Sequence, residues 1–140
     1  MKAFLRQNGT FLAFLFLMIV IGALTHGDFF SSRNLTNIVR QVSINGILAC
    51  GMTIIILTGG IDLSIGSVLA LCGVVVGISQ LNWGWGQMGF QGAFFSFALG
   101  IATGTLVGAI NGGLISILRI APFVITLGMM VIARGLGLIM

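Results

Sequence analysis

Charge is what this sequence has least of. Charged residues make up 6% of the 140, against about 25% in an ordinary soluble domain. So few charges cannot cover a soluble domain of this length, and a hydrophobic share of 58% marks an integral membrane protein instead. Acid is scarcest, with Asp28 and Asp62 alone. The six basic residues, Lys2, Arg6, Arg33, Arg40, Arg119 and Arg134, stand singly between apolar runs. They form no patch for nucleic acid despite the net charge of +4 and read as topology markers and lipid-headgroup anchors.

Histidine and cysteine are nearly as rare. His26 is the single histidine, and Cys50 and Cys72 lie in apolar runs without a Cys-x-x-Cys pair. That donor set builds no metal centre, and both thiols read as small buried hydrophobes. No catalytic residue is assigned: there is no His-Glu-x-x-His, and no Ser/His pair in adjacent spans. An intramembrane carboxylate dyad needs two acids close together. Asp28 and Asp62 are expected on opposite sides of the membrane. No cofactor is implied.

What the chain has in abundance is apolar length. Five segments can be laid out, at roughly 9–25, 42–58, 63–81, 89–118 and from 122 onward; about 20 apolar residues cross a bilayer core. The fold class expected is therefore all-α, a polytopic transmembrane helical bundle. The fourth segment exceeds one upright span, so it tilts, extends beyond the core or breaks. Lys2 and Arg6 before the first apolar run resemble a secretory signal, but no small-x-small cleavage site follows, so an uncleaved first span is expected. Between the first two spans, Ser31 and Ser32 can cap a helix in which Leu35, Ile38, Val39 and Val42 share one face. This reads as an interfacial amphipathic helix leading into the second span, or as a contact surface for another subunit. Lys2 and Arg6 favour a cytoplasmic N-terminus, which puts Trp83 and Trp85 in an outer aromatic belt and Asp62 toward the inside.

Glycine carries the remaining pattern. Gly100, Gly104, Gly108 and Gly112 recur every four residues along the fourth segment, and Gly73 and Gly77 repeat the interval in the third. Four residues advance about 400°, so each stripe stays near one face and lets another backbone approach. Gly59-Gly60-Ile61-Asp62-Leu63-Ser64-Ile65-Gly66 places a carboxylate between two apolar runs. An ionised group at membrane depth costs about 2.5–3.5 kcal/mol on insertion scales. Asp62 is expected to N-cap a helix starting at Leu63, with the glycine pair breaking the chain beside a transport pathway; the two roles are compatible. Asn45, Ser64 and Asn111 are further candidates to face a partner helix or a cavity.

The stretch 45–66, NGILACGMTIIILTGGIDLSIG, closely resembles the permease subunits of bacterial ribose-type sugar ABC importers. So do Phe29-Phe30-Ser31-Ser32-Arg33-Asn34-Leu35-Thr36-Asn37-Ile38 and Pro122-Phe123-Val124-Ile125-Thr126-Leu127-Gly128-Met129-Met130, with Arg134-Gly135 after it. The resemblance runs in order along nearly the whole chain. It maps the family's Gly-Gly-x-Asp segment onto Gly59, Gly60 and Asp62, and its Thr-Leu…Arg-Gly segment onto Thr126, Leu127, Arg134 and Gly135. It implies a multi-pass protein of the bacterial inner membrane that works with a second permease copy, an ATP-binding subunit and a periplasmic sugar-binding protein. The implied cargo is a pentose, a hexose, a related polyol or, in one branch, a furanosyl signalling molecule. ATP hydrolysis would belong to the partner, and the chain has no G-x-x-x-x-G-K-[ST] loop. The resemblance reaches only the N-terminal half of such permeases. Residues 1–140 are accordingly expected to be the N-terminal part of a transmembrane permease domain and not to transport alone. The rival expectation is a non-transporting membrane protein that at most associates with an intact permease. An ion channel would need rings of pore-facing charge or carbonyls, which the sequence does not offer.

Overall fold

The structure, a computed structural model, describes residues 2–140, with side chains from Asn8 onward. The side chains of Lys2 and Arg6, which orient the chain in the sequence reading, lie outside the described residues. Five α-helices follow one another: α1 Lys2–Leu24, α2 Ser32–Leu57, α3 Ile65–Leu81, α4 Phe90–Leu118 and α5 Pro122–Ile139. Helix is the form that satisfies every backbone polar group within one apolar segment. By length and composition α2, α4 and α5 can cross a membrane, while 8–24 and α3 are shorter apolar helices. The chain divides into two compact units, 1–47 and 48–140.

In the first unit, α1 ends in a turn at which His26 and Gly27 both take positive φ, 49° and 90°. A short 3₁₀ turn at Asp28–Phe30 follows. The motif beginning at Phe29 proves to be a cap. The Ser31 hydroxyl accepts from the Asn34 amide at 3.3 Å, and the Asn34 side chain donates to the Phe29 carbonyl at 2.7 Å. The Phe30 ring fills the space a side chain at Gly22 would need.

The amphipathic segment is not a separate helix. It is the first half of α2, which runs unbroken for 26 residues. No Gly or Pro stands between the polar half and the apolar half to stop the i→i−4 ladder until Gly46, and a lone glycine costs only about 1 kcal/mol. The fourth segment likewise forms one continuous helix of 29 residues, so the break considered for it is absent.

The second unit is built on α3. Asn111 of α4 meets Ser64 and Gly100 meets Val76, so α3 and α4 run antiparallel. Thr126 of α5 meets Leu63 and Gly137 approaches Val74, so α3 and α5 run parallel. The unit is inverted relative to a soluble domain. Its buried polar side chains are Ser64, Ser79, Ser96, Asn111 and Thr126, and its buried apolar ones only Leu71, Val107 and Ala133. Large apolar side chains such as Phe97, Ile101, Ile117 and Leu138 point outward. Lipid is as apolar as leucine, so small and polar residues make the helix contacts.

Between α3 and α4, Gly84 and Gly89 take positive φ around a 3₁₀ turn at Trp85–Met88. Trp83 and Trp85 stack edge to face at 5.5 Å, and Trp85 meets Phe95 at 6.2 Å.

Candidate functional site

The Gly59–Gly66 segment separates α2 from α3. Helix α2 stops in a Schellman turn: the Gly59 amide donates to the Ile56 carbonyl at 2.9 Å and the Gly60 amide to the Ile55 carbonyl at 3.0 Å. Gly59 takes φ 77°, a left-handed conformation that other residues enter only at a cost. Gly60 is needed for a different reason. A Cβ there would stand 3.2 Å from Ile55 Cγ2 and 3.7 Å from Pro122 Cβ, so the first glycine turns the chain and the second lets it pass the start of α5.

Asp62 is not the N-cap of a helix starting at Leu63. Helix α3 begins two residues later, at Ile65, with Ser64 at the N-cap position. The Asp62 carboxylate folds forward instead: Oδ1 accepts from the Ser64 amide at 2.7 Å and from the Ser64 hydroxyl at 2.6 Å. Reaching an amide two residues on is the habit of Asp in an Asx turn. The acid thus secures the residue that caps the helix, and its half-buried charge sits beside the positive end of α3.

Two distant residues lace this break to the bundle. Asn111 of α4 donates its side-chain N–H to Ser64 Oγ at 3.1 Å. Thr126 of α5 accepts from the Leu63 amide and donates toward the Ile61 carbonyl, both at 3.2 Å. Ser64 is fully buried, Thr126 is 2% exposed and Asn111 5%. Each such bond contributes about 1 kcal/mol net, whereas an unpaired buried backbone group costs about 1–3 kcal/mol. The chief work of Thr126 is therefore to prevent that cost where no helix can, while Asn111 pairs the buried Ser64 hydroxyl. Asn111 stands two turns from the end of α4, roughly 10 Å along the axis, so the break is recessed into the bundle.

Two cavities flank it. One, of about 280 Å³, reaches from Leu48 and Asp62 to Cys72 and Gly104. The other, of about 420 Å³, lies between Ile55, Asp62, Gly112, Pro122 and Thr126. Asp62, Gly108 and Asn111 line both. Asn111 Oδ1 is buried with no hydrogen-bond partner among the described residues.

The structure thus brings together Gly59, Gly60, Asp62, Ser64, Asn111 and Thr126 of the predicted residues. Asn45 is exposed on α2 and belongs to the first unit. Gly100 and Gly104 face α3, with Val76 and Cys72 opposite them; apart from the neighbouring residues and backbone of its own helix, no described atom lies within 4 Å of a Cβ placed at Gly108, Gly112, Gly73 or Gly77. Of the remaining motif, Leu127 and Arg134 are exposed and Gly135 half-buried. The link through Thr126 was not legible. The family motif marks Thr126 itself, a hydroxyl one turn into the helix that Pro122 starts, but nothing local assigns its partner. Among the described residues no cluster of His, Cys, Asp or Glu could hold a metal.

Residues 34–140 match the family described as the branched-chain amino acid transport system / permease component. The chain belongs to that family. Among curated relatives, it is 39% identical to the ribose import permease protein RbsC of Escherichia coli (strain K12), over 99% of this chain and 40% of that protein. It is 40% identical to RbsC of Bacillus subtilis (strain 168), over 96% of this chain and 39% of that one. The fructose import permease protein FrcC of Rhizobium meliloti is 38% identical over 80% of this chain and 29% of its own length. The chain spans about two-fifths of the length of the ribose permeases it matches. No solved structure matches it.

Proposed function

We propose that the chain is a membrane-spanning permease component of an ATP-driven sugar importer in the bacterial inner membrane, forming part of the translocation pathway. The observation that carries this reading is the non-helical segment 58–64. It is recessed between apolar helices, tied to α4 and α5 by buried side chains and flanked by two cavities. Irregular backbone at membrane depth is tolerated where it is buried in protein or lines a cavity, and discontinuous helices build many transporter sites. Its ribose and fructose import relatives point to sugar as the cargo.

The mechanism is alternating access. An ATP-binding subunit closes, packed helices shift past one another, and the opening moves from the side of a periplasmic sugar-binding protein to the cytoplasm. A second permease copy completes the pathway. Asp62 and Ser64 hold the break, Gly59 and Gly60 shape it, and Asn111 offers a hydrogen bond in or near the path. A neutral solute must be released as well as held, which suits a pathway with one carboxylate and few other polar groups. The N-terminus lies in the cytoplasm and the Trp83–Trp85 turn outside.

Uptake decides the matter. The chain is co-expressed with the ATP-binding subunit and binding protein of a ribose importer, in cells lacking the permease, with or without the remaining part of a ribose permease as a second polypeptide. Labelled ribose should enter only when that part is supplied, and Asp62→Asn should lower uptake more than it lowers membrane insertion. Uptake without the second polypeptide overturns the need for it. If the chain inserts and co-purifies with an intact permease but gives no uptake in any arm, it is a non-transporting associate.

A further inference from the structure

Hydrogen-bond accounting at the break leaves a defined set of unpaired atoms. The Ser64 hydroxyl has one proton, and it goes to Asp62 Oδ1, because an ionised carboxylate can only accept. Ser64 Oγ must then accept from Asn111, which fixes the amide with its N–H₂ toward Ser64 and Oδ1 turned away. That oxygen is buried and has no donor. The second Asp62 oxygen, Oδ2, has no hydrogen bond among the described residues, nor do the carbonyls of Gly60 and Asp62 or the backbone amides of Ile61 and Asp62. Ile61, Asp62 and Asn111 line the same cavity of about 420 Å³, within the range of about 300–1,000 Å³ usual for small-molecule sites.

We infer that this cavity is a binding site for a neutral polyhydroxyl solute, in which Asn111 Oδ1 accepts a hydroxyl proton beside the Asp62 carboxylate. The mixture of unpaired groups selects the ligand class. A hydroxyl both donates and accepts, so adjacent hydroxyls can serve Asn111 Oδ1 and Asp62 Oδ2 as donors and the two amides as acceptors. A metal cation could serve only the oxygens, against two amide dipoles. An anion would meet the carboxylate. Leaving a buried acceptor unpaired is costly, so a solute lacking the proton is rejected more strongly than one of slightly wrong size. The choice of a polyol rests on the proposed sugar permease; the site itself does not require that transport occur.

The test is a binding measurement on the chain in lipid nanodiscs, with nitrogen-15 labelling and the Asn111 side-chain amide assigned through its loss in Asn111→Leu. Adding D-ribose should shift the Asn111 amide and the backbone amide of Gly108, while fully O-methylated ribose, which has no hydroxyl proton, should not. Asn111→Leu should weaken the binding read at Gly108 by about tenfold or more, whereas Asn111→Asp, which keeps an acceptor oxygen, should weaken it less. If a variant fails to fold, the backbone amide of Gly108, assigned on the unmodified chain by through-bond correlation, still separates ribose from methylated ribose. Equal shifts with methylated ribose, shifts produced by sodium chloride but not by ribose, or no shift at Asn111 with ribose would each overturn the inference. Any of these would leave the permease reading to the uptake experiment.

Discussion

The seam between α3 and α4 has two halves built on one glycine repeat, and they are not alike. In the half that runs toward the tryptophan turn, side chains of α3 come up against Gly100 and Gly104, although open space borders both glycines as well. A Cβ at Gly100 would come within 2.7 Å of Val76 Cγ2 and one at Gly104 within 3.3 Å of Cys72 Sγ, while one at Gly92 would overlap the Trp85 carbonyl. In the half that runs toward the break, Gly108 and Gly112 meet nothing within 4 Å and border the cavities. Here a polar chain from Asp62 through Ser64 to Asn111 replaces side-chain packing. A small-residue stripe therefore permits close approach without causing it. What arrives opposite decides how closely the stripe is met.

Substitutions can break that contrast, and the largest effect is expected at Gly92. Its Cβ would meet backbone, which cannot rotate away, as well as Met88 Cβ at 3.1 Å. Gly92→Ala should cost about 3 kcal/mol or more of unfolding free energy in mild detergent, or prevent accumulation of the folded chain, since overpacking commonly costs about 1–3 kcal/mol even where side chains can give. Tryptophan fluorescence from Trp83 and Trp85 is a suitable probe. Next comes Thr126→Val, which leaves the Leu63 amide and Ile61 carbonyl unpaired. A loss of about 1–3 kcal/mol is expected, with faster hydrogen exchange at Leu63 and near-normal behaviour for Thr126→Ser. Unchanged exchange at Leu63 in the valine variant would mean that this link does not hold the break.

Gly100→Ala sharpens the comparison further. The atom it meets is the end of a side chain, so the cost should be about 1 kcal/mol, largely relieved when Val76→Ala is added, as a double-mutant cycle would record. Gly108→Ala should have the smallest effect, neutral or a gain of up to about 1 kcal/mol from helix propensity. Equal losses at Gly100 and Gly108 would abolish the distinction between the two halves.

Much of the fold was legible residue by residue. The third, fourth and fifth apolar segments, expected over 63–81, 89–118 and from 122, correspond to α3, α4 and α5 within two residues at each predicted boundary. Gly59 and Gly60 were readable as a break because a left-handed turn and a close approach are what glycine permits. The start of α3 was misplaced because Asp62 and Ser64 are both good caps; the choice turned on which of them could also reach Asn111. The amphipathic segment was divided from the second span by its polarity, although the backbone ladder is indifferent to which face is wet.

The sequence by itself determined that this chain is a set of apolar helices interrupted at Gly59–Gly60, because segment length and backbone hydrogen bonding are local demands that the bilayer makes of each stretch separately. Only the tertiary structure decided what the interruption holds. Asn111 reaches Ser64 across 47 residues, and Thr126 reaches Leu63 across 63. Those pairings depend on the register and facing of three helices. A helix that is apolar all round specifies neither, so the few polar groups inside it acquire their partners only when the helices meet.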